Sequence, residues 1–341
     1  MTARRRRPAS AARPRIKDVA LAAGVSAQTV SNVLNDKPGF TEETRDRVLQ
    51  AVAEIGYIRD AAARALRTGQ SRRIAFSMNS DNLDPRNPFA LTFLQAAMTT
   101  ASELDRRVIV LMHEREEDGS FAADLADREA DGFLLANSGP GDYRVRLLEQ
   151  AGVPYALMGR TAPGQSQAWI DIDNAAAMTG AVDRVVEHGF TRVAYAGYAD
   201  GGAWLQDRLD GTRARLAHHG LALRDDFVLE ASLPELEPWV RALLQREDRP
   251  DAIVTASDSI GIMVVNVAHA LGLDVGGHLA VTGFDGGVLA TTVIPPLTTV
   301  EIPVAEIASR LMHRLVDEIE RGRTDAPGEI IATALQEGRT A

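Results

Sequence analysis

Short apolar runs alternate with amphipathic stretches from residue 73 to the end of the chain, and this alternation restricts the fold more than any other feature. The apolar runs are predicted strands at residues 74–78, 108–112, 132–136, 155–158, 168–172, 193–197, 252–256 and 279–284. Helical periodicity marks the stretches between them, among which are residues 89–104, 143–150, 174–188 and 258–271. Strands that alternate with helices form parallel sheets covered by helices on both faces. The pattern therefore predicts an α/β body of two doubly wound, parallel-sheet lobes.

The overall composition narrows the class of protein. The chain has 341 residues, which is more than one ordinary domain needs, and it contains no Cys. Disulfides, thiolate metal sites and Cys nucleophiles are thereby excluded. Arg4 to Arg7 are followed by no apolar segment of the kind that a secretion signal requires, and no run of about 18 apolar residues occurs anywhere. We expect a cytoplasmic protein that makes no membrane contact.

Charge is distributed very unevenly along the chain. Residues 1–73 carry 15 Lys and Arg against 7 Asp and Glu, whereas the remainder carries 22 against 40. A basic segment attached to an acidic body is typical of a protein in which one local module binds nucleic-acid phosphates, because a uniformly acidic surface would be repelled. A solvated basic tail is the alternative explanation.

The basic segment contains the pattern of a small helical domain. In residues 16–23 an apolar stripe follows the helical spacing, Gly24 marks a corner, and Ser26 is placed to cap a second helix that buries Val30 and Val33. A third helix is predicted from about Thr41 to Ile55. Any small helical bundle would fit this pattern, but the outward face of the second helix is short, polar and uncharged. Gln and Asn on such a face can pair with adenine edges in a major groove.

Residues 18–35 closely match the head of the lactose/galactose repressor family. The shared pattern is D-V-A-x-x-A-G-V-S-x-x-T-V-S-x-V-L-N. The resemblance implies a helix-turn-helix in which Ala27 and Gln28 lead base recognition, Asn32 adds a third base contact, and Thr29 and Ser31 support backbone contacts. The further DNA contacts that it implies in the head are Lys17, Ser26 and Asn35. Position 32 is often Arg in the family, so Asn32 removes a bidentate guanine reader and alters the expected operator.

Residues 58–71 are Ala-rich and basic, and they are too short to form a stable helix in isolation. A flexible linker is one interpretation. The resemblance to the family's hinge helix, carried by Ala63, Arg64 and Leu66, implies instead a segment that folds on DNA. Two hinge helices would then pair in a dimer, with Leu66 as a minor-groove wedge and Arg64 and Arg67 near phosphates or the groove floor. Arg59 and Asp60 replace the family's usual Pro-Asn, which leaves the start of this helix less constrained.

The body resembles a periplasmic-binding-protein-like sensor. The matching words are Asn87-Pro88-Phe89, Asp171-Ile172-Asp173-Asn174, Arg208 with Gly211, Ser257-Asp258, Gly283-Phe284-Asp285 and Pro295-Pro296-Leu297-Thr298-Thr299. The effector contacts implied are Phe89, Arg160, Arg208, Asp258 and Asp285. Carboxylates would accept from ligand hydroxyls, Arg208 would donate, and Phe89 would stack on the ligand. As single residues, the two Asp could equally be helix caps and Arg208 a solvated side chain.

Two other classes of protein share parts of this pattern. A periplasmic sugar-binding protein would have the body, but it would carry a secretion signal and no DNA-reading head. An enzyme on a doubly wound sheet would be marked by a motif such as G-x-G-x-x-G, a P-loop, H-E-x-x-H or G-x-S-x-G, and none is present. His218 and His219 have no third ligand at helical spacing and are interpreted as a solvated helix face. We therefore expect no enzyme activity, no cofactor and no metal.

These observations predict a transcriptional repressor with four parts. Residues 1–14 form a disordered basic arm, 15–57 the helix-turn-helix, 58–71 the hinge, and 72–341 the effector-binding and dimerisation body. Its first lobe spans about 72–160 and 287–318, and its second lobe about 161–286 and 319–341. The expected partners are a pseudo-palindromic operator in double-stranded DNA, a sugar-like effector between the lobes, and a second copy of the chain. The chain ends without a leucine heptad, so a dimer is predicted rather than a tetramer. Whether the effector releases DNA or acts as a corepressor stays open.

Overall fold

The chain divides into two compact units, residues 1–70 and 71–341. The computed structural model describes residues 14–34, 37–57, 69–79, 88–113, 119–136, 138–161, 168–199, 202–322 and 328–341. Asn35, Ala63, Arg64, Leu66 and Arg67, which the sequence assigns to DNA contacts, lie outside the described residues, as do most of the predicted arm and hinge.

The first unit contains three helices whose ends are set by side-chain and glycine caps. Their bounds are α1 Ile16–Ala23, α2 Ala27–Leu34 and α3 Glu42–Ile55. Gly24 ends α1 with a φ of 66°, a conformation that glycine adopts without steric cost. The Ser26 and Thr41 hydroxyls accept hydrogen bonds from the amides of Thr29 (3.0 Å) and Thr44 (3.3 Å), so both predicted helix caps are present.

A small apolar core holds these three helices together. Its buried members are Val19, Ala20, Ala23, Val30, Val33, Val48 and Ala51. Leu34, Val52 and Ile55 pack at its margin and are only partly buried. Val30 and Val33 of α2 face this core, so the opposite side of the helix, which includes the exposed Gln28, faces solvent.

The first lobe of the second unit is a six-stranded parallel sheet. Its strands are β1 Arg73–Asn79, β2 Arg107–His113, β3 Gly132–Leu135, β4 Tyr155–Met158, β5 Ala168–Ile172 and β11 Glu329–Ile331. They are ordered β11-β5-β4-β3-β1-β2. Its helices are α4 Phe89–Glu103, α5 Ser120–Ala126, α6 Tyr143–Ala151 and α12 Val304–Arg321. Ile74 and Phe76 point into the core on the α4 and α12 face, whereas Ala75 packs with Phe121 of α5 on the other.

The second lobe repeats this architecture. Its strands are β6 Val193–Gly197, β7 Val228–Glu230, β8 Ala252–Thr255, β9 Ala280–Asp285, β10 Thr298–Glu301 and β12 Ala334–Gln336. They are ordered β12-β10-β9-β8-β6-β7, with β12 antiparallel to β10. Its helices are α7 Asn174–Glu187, α8 Ala203–His218, α9 Leu233–Leu244, α10 Asp258–Ala270 and α11 Val288–Thr292. The predicted fold class, a helical head with an α/β body of two doubly wound lobes, is confirmed.

Strand pairing places the boundary between the lobes differently from the predicted division. Strand β5, predicted in the second lobe, pairs with β4 in the first sheet, and β10, predicted in the first lobe, pairs with β9 in the second. Residues 319–321 at the end of α12 and residues 329–331 of β11 also belong to the first lobe. The physical reason is that sheet membership depends on which strand edge is open, a non-local property that hydrophobic periodicity does not encode.

Of the described helices, none is long and apolar enough to span a bilayer.

Candidate functional site

The outer face of α2 presents a row of polar side chains. Gln28 is exposed, Thr29 and Asn32 are half-buried, and Gln28 Nε2 donates a 2.9 Å hydrogen bond to Asn32 Oδ1. Ser26 and Lys17 are also exposed, while Ala27 and Ser31 are half-buried. Gln28 and Asn32 lie four residues apart and therefore share one face of the helix. Their mutual hydrogen bond holds both amides on that face, where each still has donor and acceptor capacity for a base edge.

The second candidate site lies at the carboxyl ends of the second lobe's strands, and its centre is Arg208 on α8. The Arg208 side chain is only 6% exposed. Its Nη1 donates to the carbonyl of Ala256 at 2.6 Å, and its Nε donates to Asn174 Oδ1 at 3.0 Å. The guanidinium carbon lies 3.5 Å from the centroid of the Phe284 ring and 4.5 Å from that of Trp204. Arg208 is thus a buried, oriented cation and not the solvated side chain that a helical Arg usually is.

Asp258 faces the same region and is tightly held. Its Oδ1 accepts a 2.5 Å hydrogen bond from the Thr299 hydroxyl, and its Oδ2 accepts a 2.7 Å hydrogen bond from the Gly287 amide. Burial raises the pKa of Asp258 to about 6, although both hydrogen bonds oppose that shift. The cap of α10 is Ser257, whose hydroxyl accepts from the Ile260 amide at 3.3 Å and contacts the Tyr198 hydroxyl at 3.1 Å. Asp258 therefore has a role other than the helix cap considered from the sequence.

Asp285 completes a group of charges around Arg208. It ends β9 with a φ of 113°, which is rare for a residue with a side chain, and Gly286 follows with a φ of 70°. Asp285 is 8% exposed, and its Oδ1 lies 3.9 Å from Arg208 Nη1. Burial lowers the pKa of Arg208, and the nearby Asp285 carboxylate is the largest influence that raises it again. A backbone in this unusual conformation is typical of residues that aim a side chain at a ligand.

The first lobe contributes a carboxylate that the sequence prediction did not include. Asp171 lies in β5 near the carboxyl end of the first sheet, and burial raises its pKa despite hydrogen bonds from the Ile172 amide and Arg160. Arg160, predicted to contact the effector, donates from Nε to Asp171 Oδ2 at 2.9 Å, and its Nη2 lies 4.0 Å from Asp207 Oδ2 of α8. Arg160 therefore joins a first-lobe carboxylate to a second-lobe helix, and any ligand contact would compete with these pairs.

Phe89 begins α4 at the junction of the two lobes. The ring is half-buried against an apolar cluster that includes Phe76 of the first lobe and Phe284 of the second. A Cβ added to Gly287 would lie 3.2 Å from Pro88 Cγ and 3.5 Å from Asp258 Oδ2, so the start of α4 lies beside the Asp258 carboxylate. The strand ends thus bring Arg208, Asp258 and Asp285 together, with the start of Phe89's helix close by.

Three members of this site were missed by the sequence interpretation. Asn174 orients Arg208, and Trp204 stacks over it from one helical turn earlier. Asp171 enters through strand pairing. The four-residue spacing from Trp204 to Arg208 was a usable signal, because residues four apart share a helix face.

Among the described residues, no three His, Asp or Glu side chains are grouped as metal ligands. His219, predicted to face solvent with His218, instead lies with Nε2 2.6 Å from Asp183 Oδ1 of α7. Arg215 contacts the same carboxylate, which makes this a helix-to-helix link.

Two family models match the chain. Residues 15–60 match the model described as bacterial regulatory proteins of the lacI family, and residues 182–341 match a periplasmic binding protein-like domain. The transcriptional regulator CelR of Thermobifida fusca is 31% identical over 333 residues, which cover 94% of this chain and 95% of that protein. The ribose operon repressor of Halalkalibacterium halodurans is 28% identical, with 94% and 95% covered.

Solved structures agree with the fold. The complex of the transcriptional regulator CelR with cellobiose is 26% identical, covers 96% of this chain and all of that one, and has a TM-score of 0.73. The lac repressor dimer bound to operator and an anti-inducer is 22% identical, with 96% and 99% covered and a TM-score of 0.83. At that identity the second likeness supports the fold alone. The named relatives are regulators of transcription and not enzymes.

Proposed function

Since this chain belongs to the lacI family of bacterial regulatory proteins, we propose that it is a repressor whose affinity for an operator is controlled by a small effector. The effector is a sugar or sugar derivative that binds between the two lobes. The observation that carries the proposal is the pairing, in one chain, of an exposed polar recognition face on α2 with a buried Arg208 surrounded by carboxylates. The first belongs to a DNA reader and the second to a sensor of small polar molecules.

The proposed DNA contacts are those that the family resemblance implies, and the polar outer face of α2 supports them. We place Gln28 and Asn32 against base edges and Ala27 beside a thymine methyl, with Lys17, Ser26, Thr29 and Ser31 at sugar and phosphate. Asn35, Ala63, Arg64, Leu66 and Arg67 remain predicted contacts from the sequence. The probe for the binding experiments below is a DNA duplex that the full-length chain selects from a pool of random sequences.

We predict that Gln28→Ala relaxes base preference at one position per half-site. A bidentate amide contributes about 1–3 kcal/mol of discrimination between bases, so anisotropy titrations with single-base variants of the selected duplex should show up to about a hundredfold less discrimination at that position. Glu54→Ala in α3 is the control, because Glu54 is exposed and bonded only to Gln50 among the described contacts. Unchanged discrimination in Gln28→Ala would remove Gln28 from base reading.

The effector chemistry follows from the second-lobe group. Asp258 and Asp285 offer acceptor oxygens, and Arg208 offers donors. The half-buried Trp204 and Phe89 supply apolar surface of the kind that packs on sugar rings, while the fully buried Phe284 supports Arg208. A related regulator was solved with cellobiose, and we propose a ligand of the same chemical class here. A thermal-shift screen of cellobiose, other oligosaccharides, monosaccharides and nucleosides tests this, since a ligand of the native state raises the melting temperature. No shift with any sugar would contradict the proposal.

Control of DNA binding requires two arrangements of the lobes. Ligand binding at the strand ends changes the relative angle of the lobes and so shifts the geometry from which the hinge segments leave the body. Titrating the identified sugar into the complex with DNA distinguishes an inducer, which raises the dissociation constant, from a corepressor, which lowers it.

We further propose a homodimer that acts in the cytoplasm, where its operator is. Support for the dimer comes from exposed apolar side chains on neighbouring elements of the first lobe, Leu91 and Met98 on α4 with Val110 and Met112 on β2. Val110 and Met112 pair with Phe76 and Met78, which face α4, so all four lie on one side of the sheet. A two-fold axis through this patch would pair two heads for a palindromic site.

A further inference from the structure

The chain enters the second unit at Ser71, and Asp131 holds it there. Asp131 Oδ1 accepts hydrogen bonds from the Ser71 amide at 2.6 Å and the Ser71 hydroxyl at 2.8 Å. Its Oδ2 accepts from the Arg72 amide at 2.7 Å and from Arg106 Nη1 at 3.0 Å. Four donors converge on one carboxylate whose side chain is only 10% exposed. Residues 71 and 72 are therefore fixed to the start of β3 before β1 begins.

Arg106 extends this attachment to the helix that arrives from the other lobe. Its side chain is 3% exposed, and its Nη2 donates to Glu320 Oε1 at 3.0 Å. Glu320 lies in the last turn of α12, which follows β10 of the second sheet and packs on the first. Asp131 and Arg106 thus connect the chain entering the body with α12.

The second lobe contains a similar contact between an Asp carboxylate and backbone amides at the start of a strand, but no DNA-binding unit precedes that strand. Asp251 precedes β8, and its Oδ1 accepts from the amides of Thr191 at 3.1 Å and Arg192 at 2.8 Å. The backbone matches too, since the Asp251 amide donates to Arg192 O at 2.9 Å and the Asp131 amide donates to Arg73 O at 2.8 Å. In both lobes, therefore, an Asp directly before a strand (β3 or β8) binds the backbone at the start of the neighbouring strand (β1 or β6). We call this contact a strand-start attachment.

What differs is the chain that each Asp holds. Asp251 fixes a connection inside the second lobe, between α7 and β6. Asp131 fixes the residues that directly follow the first unit, whose last residue is Gln70. The arginine partners differ as well. Asp131 accepts from the buried Arg106 at 3.0 Å, whereas the arginine beside Asp251 is the exposed Arg192, with Nη2 3.7 Å from Oδ2.

We propose that Asp131 is a positioning residue for DNA binding, which fixes the point where the DNA-binding unit joins the sensor so that the first sheet sets the direction of the segment preceding Ser71. The proposal rests on the proposed function. Strand β1 runs from this attachment at Arg73 to the carboxyl-end edge of the sheet, and β3 runs beside it from Gly132. Reorientation of the first lobe therefore carries residues 71 and 72 with it.

Loosening this attachment has a predictable consequence. With Asp131 removed, residues 71 and 72 sample more orientations. This extra conformational freedom must be given up when the two helix-turn-helix units of a dimer bind one operator, and the lost entropy weakens binding. This cost lowers the affinity for DNA beyond any loss in the stability of the body. Removing Asp251 loosens a connection that no head depends on.

The test compares full-length variants against the selected duplex in anisotropy titrations, at a temperature where circular dichroism shows every variant folded. Asp131→Ala is expected to bind the duplex about tenfold more weakly than wild type, within the range usual for coupled sites. Asp251→Ala is expected to bind within about twofold of wild type. Both should lower the melting temperature, Asp131→Ala by more than Asp251→Ala, because it leaves the buried Arg106 with Glu320 as its remaining carboxylate partner among the described contacts. Asp131→Asn keeps an acceptor for Ser71 but faces Arg72 and Arg106 with an amide, so it should give an intermediate loss and serves if the Ala variant fails to fold.

Three outcomes would decide against the proposal. Equal losses of affinity in the Asp131 and Asp251 variants would make Asp131 a general stabiliser, and unchanged affinity in both Asp131 variants would make it a strand-start attachment only. A wild-type chain that selects no duplex at all would overturn the proposed function, and with it this inference. Because only the last outcome appears in the wild-type titration, the two failures are distinguishable.

Discussion

Arg208 is the residue whose loss we expect to be most costly. It lies among Asp171, Asp258 and Asp285. Asp171 would keep Arg160 as a partner, but removal of Arg208 would take away the cation beside the buried Asp258 and Asp285. We expect Arg208→Met to lower the free energy of unfolding by about 3 kcal/mol or more in urea titrations, and to abolish the thermal shift given by the identified sugar. Arg213→Met on the same helix is the control, because Arg213 is 42% exposed and should change stability by less than about 0.5 kcal/mol. Equal effects would mean that Arg208 carries no special charge role.

Asp258 gives a pH-dependent prediction. Burial raises its pKa in the folded chain to about 6 from an ordinary value of 3.8, so the folded state holds this proton more tightly than the unfolded state. The stability contributed by protonation is therefore fully present below pH 3.8 and is lost as the pH rises through about 6. In Asp258→Asn that loss is absent, so the melting temperature of the variant relative to wild type should rise between pH 4 and pH 7.

Calorimetry of the two chains across this pH range checks the prediction, with Asp210→Asn as a control at an exposed carboxylate of α8. A constant difference between Asp258→Asn and wild type would show that Asp258 does not titrate in this range. A parallel trend in Asp210→Asn would show that the effect is one of net charge.

Single residues also show how far the sequence specifies the site. Arg208, Asp258 and Asp285 each stand in a short sequence motif after or between predicted elements, and the structure brings them together. Asp171 and Asn174 also stand in such a motif, but their contacts with Arg160 and Arg208 could not be assigned from it, because these contacts depend on which strands and helices become neighbours. Arg160 was predicted as a ligand contact, but no sequence pattern indicated its pairing with Asp171 and Asp207.

At the scale of elements, the buried apolar strands and the longer amphipathic helices were predictable, whereas the three-residue strands were not. Strand β4 has the predicted bounds, and α4 and α10 each end one residue before the predicted end. Strands β7, β11 and β12 have only three residues each, which is too few to display a period of two. They form because neighbouring strands offer unpaired edges, a condition that exists only in the folded chain.

The edge strand β2 gives a prediction about assembly. Val110 is 47% exposed at one edge of the first sheet, and Ile330 on β11 is 46% exposed at the opposite edge. If β2 and α4 form the dimer interface, Val110→Glu buries a charge in it and should dissociate the dimer, whereas Ile330→Glu should not. Sedimentation velocity at micromolar concentration separates the two. A Val110→Glu variant that remains dimeric would place the interface elsewhere.

For the whole molecule, the division of charge predicts how DNA binding responds to salt. Residues 1–70 carry 13 Lys and Arg against 7 Asp and Glu, whereas residues 71–341 carry 24 against 40. The sensor therefore repels the duplex, and the first unit must supply the phosphate contacts. Each contact releases counterions, so a dimer with 6–10 contacts should lose about 10³-fold or more in affinity between 50 and 200 mM salt. A chain of residues 71–341 should keep its melting temperature and sugar response, because the two units are separately compact, but should lose association with the duplex at every salt concentration. The prediction is contradicted if the shorter chain binds the duplex, or if the affinity of the full chain does not change with salt concentration. Either result would mean that DNA is bound by the acidic body and not by the basic head.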